Sequence, residues 1–595
     1  MHPVLRSASL MACFFITASA FAGGACPAGV PVTGNNCYFI AANGADTNAG
    51  TDEQHPWLHA PGMPSCAGNC GTVTTQPGNG FIFRGGDTWH FGNSGATPYT
   101  GGTWSVNQHP GTDASCVYEG TMTGCVYFGV DMTWFTGASW ARPIMTADNP
   151  LSSCSTPGNC AKVASCTYQV GTNNVMVYEG ADQILDNFEF TGLCSSRDPA
   201  DTNPAKDIMI SLAGPQSDFL QYLTNDYFHG WTVTTTAGQS NNSQPCTILG
   251  NGGGTLEVLD HIVIDGTDSL ATACEYATFP GLYHFRDSIV RYASQGVFGA
   301  CHDIHDVIWE HMFNALWPTH ANTMECNDDA TGNMGNQPKN TPNVFYNNIT
   351  RHDDPNYPGG NPRWWFCPNN MPEYQFNNIQ YDLVPASENW AFAGTPGYPS
   401  CTNAGGQFLF NNTIVDAIQP CHNGGSNQTG GIYLTVLDEH LINSQYDNAA
   451  GGCTGFNDPS NIMQSDAVAT AQGYTTGSGG GGGGSNTCAN DTTTPCAPTS
   501  STAGTLGAGA NHMAYCNQLA TYTAEPAISV DAANACKFGT TDACAYITSR
   551  HSVSCPGSTP VMRPSTAAWD AGAYQGVSSR TQGPLPPSNL AVVVQ

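Results

Sequence analysis

The chain has 595 residues, 45 of them acidic and 15 basic, for a formal net charge of -30, and only 10% are charged at all. A surface this poor in Lys and Arg excludes nucleic acid and anionic lipid as partners, because both demand a cationic footprint. It also disfavours a polyanionic glycan unless a divalent cation bridges the charges.

Residues 1–22 read as a secretory signal, with Arg6 before an apolar stretch and Ala20-Phe21-Ala22 as the small-x-small site before Gly23. No later run is long and apolar enough to insert in a membrane. Of 25 Cys, Cys13 lies in the signal, and the remaining even number suits disulfides in an oxidising, extracellular compartment. Several are close in sequence, such as Cys26/Cys37, Cys66/Cys70 and Cys116/Cys125. Their connectivity stays open at this stage.

The mature chain begins with an apolar strand from Tyr38, followed by a turn-rich loop containing Asp46, Asn48 and Asp52. That loop superficially matches a calcium loop but lacks the bidentate Glu at the required spacing, so it reads as an Asx-turn cap. A second strand runs through Phe81-Ile82-Phe83, and Arg142-Pro143-Ile144 precedes Ala147-Asp148.

Between residues 184 and 413 one short pattern recurs eight times: two mostly apolar residues, an Asx, a second small or polar residue, then an apolar-rich run. Its third positions are Asp186, Thr224, Asp260, Asp287, Asp306, Asn347, Asn377 and Asn411. Repeats starting 19 to 41 residues apart, each a short β-type run with an Asx at a fixed corner, predict an all-β right-handed parallel β-helix with long loop excursions. The domain is expected over 23–576, with a flexible glycine-rich stretch at 477–485, a Cys-rich flanking region at 486–558 and a tail at 577–595. A monomer is expected.

These segments resemble secreted bacterial right-handed parallel β-helix proteins, the superfamily of pectate-lyase-like enzymes. Arg563-Pro564-Ser565 with Trp569-Asp570-Ala571-Gly572-Ala573-Tyr574 is similar to the closing segment of many such proteins. The resemblance implies the scaffold and an extracellular polysaccharide as partner, acted on by a lyase or glycoside hydrolase. A non-catalytic glycan-binding or structural surface protein is the alternative. The Gly-His-Gly and Arg-x-Lys of polygalacturonases are absent, as is the Arg-x-Pro-x-x-Arg of pectate lyases. Asp260-His261 loosely resembles the Asp-His pair of such enzymes but reads as an ordinary repeat corner.

Stacking the repeats aligns Phe190, Phe228, Ile264, Arg291, Glu310, Arg351, Tyr381 and Val415 at the seventh position, with charge only in the Arg-Glu-Arg centre. The eighth position brings His311 beside His352. A salt-bridge ladder is the plainer meaning; an active-site stripe is the sharper one. Nearby loops add His320, Glu325 and Asp328, then Asp353, Asp354, Arg363, Trp364 and Trp365. Glycoside hydrolysis needs a carboxylic acid and a carboxylate, for which Glu310, Glu325, Asp328, Asp353 and Asp354 are candidates. A lyase would use Arg351 or His352 as base. Arg291, His311, His320, Arg363, Trp364 and Trp365 are the expected substrate contacts, the tryptophans by stacking on sugar rings. These residues specify no cofactor with certainty. Calcium, held by Asp and Glu, is the one candidate, and belongs to the lyase reading.

Overall fold

A computed structural model describes most of residues 23–576. Outside the described residues lie 1–22, 107–115, 117–121, 196–207, 213–219, 235–246, 252–255, 271–275, 313–322, 328–341, 353–363, 368–371, 384–389, 395–405, 424–433, 445–457, 475–495, 541–544, 555–559 and 577–595, with a few shorter gaps. The protein is mostly β, with three α-helices among the described residues, Asp466–Ala471, Met513–Leu519 and Pro526–Cys536.

Short β-branched and aromatic runs, each ended by an Asx-rich bend, give strands that pair in parallel with the corresponding strand of the next repeat. A 22-stranded sheet divides into two lanes. The first runs from Cys37–Ile40 through Gln183–Asp186, Leu220–Thr224 and Leu256–Asp260 to Leu434–Leu437. The second runs from Thr88–His90 through Glu189–Thr191, Tyr227–His229 and Val263–Asp265 to Ile462–Gln464. Two ten-residue strands, Leu282–Arg291 and Cys301–Glu310, pass through both lanes. A separate ten-stranded parallel sheet forms the third lane, including Val297–Gly299, Met324–Asn327 and Trp364–Cys367.

Alternation along each strand sends one row of side chains to the interior. In the first lane this row is Leu185, Leu223, Leu259, Phe285, Ile304, Phe345, Leu409 and Val436, all in one buried core, with the buried Gln375 as its one polar member between Phe345 and Leu409. The second lane adds Phe190, Phe228, Ile264, Val290 and Trp309. Truncating such a residue to Ala costs about 2–5 kcal/mol.

The corner between the two lanes corrects the expected register. Asp287, Asp306, Asn347, Asn377 and Asn411 share a column and all have positive φ, between 49° and 60°. In the first three repeats, however, that left-handed slot is taken by the next residue along: Asn187, Asn225 and His261. Asp186, Thr224 and Asp260 stand instead in the column that continues through Arg286 and His305 of later strands. Asn, Asp and His tolerate left-handed backbone better than other side chains, so the corner selects its residue by conformation, and two consecutive Asx residues left the choice ambiguous.

The residue after each corner has a different task. The Asn348, Asn378 and Asn412 carboxamides accept from Val307 N, Asn348 N and Asn378 N at 3.1, 3.0 and 2.9 Å. Their own Nδ2 atoms donate to Ile304 O, Phe345 O and Gln375 O at 2.8, 2.9 and 3.1 Å. Backbone groups freed at each bend are thereby satisfied away from water. Glu439 and Asp226 occupy the same ladder and accept from Asn412 N and Phe188 N.

Seven disulfides lie among the described residues, including Cys26–Cys37, Cys66–Cys70 and Cys116–Cys125. Cys166 reaches Cys194, Cys301 reaches Cys326, and Cys536 joins Cys516. In the early loop, Asp52 Oδ1 accepts from Gln54 N and His55 N in a local Asx turn, whereas Asp46 accepts from the more distant Leu58 N, His59 N and Ala67 N. No helix among the described residues is long and apolar enough to cross a membrane. The disulfides fit an extracellular protein.

Candidate functional site

Two charged patches lie on the outward rows of the central strands. In the second lane the outward row reads Thr191, His229, Asp265, Arg291, Glu310, Arg351, Tyr381 and Val415. The expected Arg-Glu-Arg stack is present. Its upstream neighbours are Asp265 and His229, because Ile264 and Phe228 point into the core. The charged row is therefore longer than the repeats implied. Arg351 Nε and Nη2 both reach Glu310 Oε2 at 2.8 Å, and Arg291 Nε lies 3.2 Å from Oε1. Burial favours a neutral Glu310, but Arg351 and then Arg291 hold its carboxyl down to about 2.

A hairpin from the Cys-rich region, Ala545–Ile547 with Ser552–Ser554, lies over this row. Val553 packs with Tyr227, Val263, Ile289 and Ile308. Tyr546 donates to Asp265 Oδ2 at 2.7 Å, and Arg291 sits 5.0 Å over the Tyr546 ring. Buried, hydrogen-bonded by Arg351 on one oxygen and ion-paired with Arg291 on the other, Glu310 is suited to an ion pair rather than to giving up a proton.

His311 and His352 occupy the next corner with ring centroids 5.6 Å apart, and His352 Nδ1 is 2.6 Å from Asp382 Oδ2. Burial lowers His311 to about 4. Trp364 corrects the expectation of a sugar platform. It is wholly buried in the core and donates from Nε1 to Thr350 Oγ1 at 3.1 Å, because it shares the inward row with Val297 and Met324. Backbone register sets Glu325 beside Trp365 in the third lane. His320, Asp328, Asp353, Asp354 and Arg363 lie outside the described residues.

The second patch is on the first lane and was passed over by sequence reasoning. Upstream, the outward row is apolar, and its Tyr127, Ile184, Tyr222 and Val258 cluster with Trp134 and the Cys116–Cys125 disulfide, which cover it. Downstream it is again apolar, where Leu519, Ala532 and Ala533 of the C-terminal helices pack on Val344, Tyr346, Tyr374 and Phe376. Between these two covers the row becomes His284, Arg286, Asp303 and His305, bordered by the corner residues His261, Asp287 and Asp306.

Here Asp260, His261 and Asp287 each offer a ligand-type atom within 4.8 Å of the others. Asp260 Oδ1 is 2.6 Å from His261 Nδ1, and its Oδ2 accepts from Tyr222 OH at 2.7 Å and Arg286 Nη2 at 3.3 Å. Burial raises the Asp260 carboxyl, but the His261 bond and the Arg286 charge outweigh it and keep the group strongly acidic. Asp287 behaves oppositely. Burial first, and then the Asp306 carboxylate, push it up to about 6. His305 lies 2.8 Å from Asp306 and 3.8 Å from Asp303, which itself meets His284 at 3.0 Å. Asp287, at 24% side-chain exposure, and His261, at 37%, open this cluster to solvent.

Calcium takes about six to eight oxygen ligands. Asp260 is already engaged by three partners, and Arg286 Nε lies 4.0 Å from Asp287. The cluster does not fit that ion.

No known family profile matches the chain, and no curated protein matches it. Among solved structures, pectate lyase Pel9A aligns over 81% of this chain and 93% of its own, at 13% identity and a TM-score of 0.34. The native lacto-N-biosidase of glycoside hydrolase family 136 from Eubacterium ramulus aligns over 72% of this chain and 68% of its own, at 10% identity and a TM-score of 0.31. Its selenomethionine derivative gives 61% and 64%, at 11% identity and a TM-score of 0.24.

Proposed function

We propose that this is an exported polysaccharide-cleaving enzyme whose three lanes close as a right-handed parallel β-helix, and that the Asp260–Asp287 cluster is its acid–base centre. The carrying observation is a pair of neighbouring carboxyl groups in opposite surroundings, Asp260 held by His261, Tyr222 and Arg286, and Asp287 part-exposed at the corner. Asp287 is raised to about 6 and Asp260 is held ionised, with oxygens within 4.8 Å of each other. Groups whose environments push them apart in this way are suited to acid and base roles.

Asp287 donates its proton to the glycosidic oxygen as the bond to the anomeric carbon breaks. Asp260 stays charged and stabilises the positive charge developing on the sugar ring; water then adds to the anomeric carbon and gives its proton to the Asp287 carboxylate, which restores the acid and completes the new reducing end. A short carboxyl separation is the arrangement of retaining rather than inverting hydrolysis. The net charge of -30 favours a neutral glycan over a polyuronate. Cleavage then requires no calcium and releases reducing ends without the ultraviolet absorbance of an unsaturated product.

The test is a screen of purified protein against a polysaccharide panel, with and without EDTA. New reducing ends that persist in EDTA and vanish in Asp287→Asn support the proposal. EDTA-sensitive unsaturated products would make the enzyme a lyase, and retention of glycan without cleavage would make it a binding rod.

A further inference from the structure

We propose that His305 is a positioning residue for this centre: clamped by Asp306 and Asp303 and stacked on Tyr346, it acts with Asp306 as a pair of opposed charges that sets how strongly Asp287 holds its proton. The inference rests on the acid–base reading above but addresses a property of Asp287 that exists without substrate.

Three observations carry it. The His305 ring lies face to face with Tyr346, at 4.5 Å and 4° between planes, which fixes its orientation. Its Nδ1 is hydrogen-bonded to Asp306 Oδ2 at 2.8 Å, and its Nε2 lies 3.8 Å from Asp303 Oδ2, so the ring stands between two carboxylates. His305 and Asp306 belong to the strand that pairs with the Asp287 strand, with Arg286 directly opposite His305. Burial opposes the charge on His305, but Asp303 and Asp306 raise it to about 9, so it stays an imidazolium through the neutral range.

Among the described residues, the charged groups around Asp287 come from three strands, a corner and a helix. From the preceding strand and corner come Asp260 and His261, and from its own strand Arg286 and His284. The following strand supplies Asp303, His305 and Asp306, and Asp531 of the Pro526–Cys536 helix acts on Tyr346 beside them. Within this set Asp306 favours the protonated acid and His305 favours the anion. Removing one charge or the other must therefore move Asp287 in opposite directions, whereas a general loosening of the site would move it one way.

The experiment is carbodiimide labelling across a pH series, followed by peptide mass mapping at Asp287, since the protonated carboxyl is the reactive form. It uses the full-length protein without substrate. His305→Gln is expected to raise the midpoint for Asp287 by about one pH unit, and Asp306→Asn to lower it by a similar amount. His305→Lys, which keeps the charge, should restore most of the wild-type midpoint. Midpoints that do not move, or that move together, overturn the inference. Should His305→Gln fail to fold, Asp306→Asn decides alone, and no downward shift overturns it. If the midpoints separate as expected while Asp287→Asn retains full turnover, the positioning stands and the catalytic assignment falls.

Discussion

The two outward charged patches occupy the same central strands yet differ in how their charges are compensated. In the second lane positive and negative groups alternate, each carboxylate is met by guanidinium or phenol, and a hairpin covers the row. In the first lane four carboxylates crowd against one arginine and three histidines, and one carboxyl keeps its proton to about 6. Charge that interrupts apolar stacking is therefore not by itself a sign of function. A charge fully paired and covered is an architectural element, whereas incomplete compensation facing solvent leaves a group able to give up a proton.

The largest effect should separate the two patches outright. Glu310→Gln leaves buried Arg351 and half-buried Arg291 without their shared anion, and removing one partner of a buried ion pair costs about 3–5 kcal/mol. A drop of several degrees in calorimetric melting temperature is expected, and an unchanged melting temperature would mean that the row is solvated after all. Asp287→Asn should do the reverse. Turnover falls about 10²–10⁴-fold, the contribution of a positioned general acid, while the melting temperature stays near that of the wild type. A change of stability without a change of turnover would reverse the comparison. The hairpin sets the next scale. Tyr546→Phe strips the bond to buried Asp265, which costs about 1–3 kcal/mol. Limited proteolysis within 545–554 should then quicken, and equal cleavage rates would show that the hairpin is not held by that contact.

Much of the scaffold was legible because it is written in periodicity. The apolar runs gave the parallel strands, and Asp287, Asp306, Asn347, Asn377 and Asn411 marked a true corner. Two neighbouring polar residues share the corner, one chosen for left-handed backbone and one for the internal ladder, so Asp186 and Asp260 were aligned one position out. That slip hid Asp265 and His229 from the charged row. It also hid the site: Asp260-His261 looked like any other corner, because nothing in a linear repeat reveals that His284, Arg286, Asp303 and His305 line up beside it between two apolar covers. Trp364 failed for a related reason. Alternation along a strand sends one row inward, and sequence alone did not say that Trp364 stands on that row. A signal at Asp260 was nonetheless available, since strands 282–291 and 301–310 carry more alternating charge than any others in the first lane.

The smallest effect concerns the internal ladder, where an acid stands in two places otherwise suited to Asn. Glu439 is completely buried, accepts from Asn412, and is pushed by burial well above the ordinary carboxylate range, as Asp226 is. A carboxyl whose folded-state pKa exceeds its unfolded value of about 4.3 binds a proton in the folded state that the unfolded chain gives up. Its stabilising contribution is complete below that value and declines as pH rises toward the folded pKa, by at most about 1.4 kcal/mol per pH unit per group. Glu439→Gln keeps an oxygen for Asn412 and removes the titration. Chemical denaturation of the variant and the wild type should therefore diverge from about pH 4 upward, with the variant progressively the more stable. The same profile measured on Asp226→Asn should show the same sign. Parallel curves for both variants would mean that these acids are ionised inside the ladder, in which case neither residue is an isostere of the asparagines that surround it.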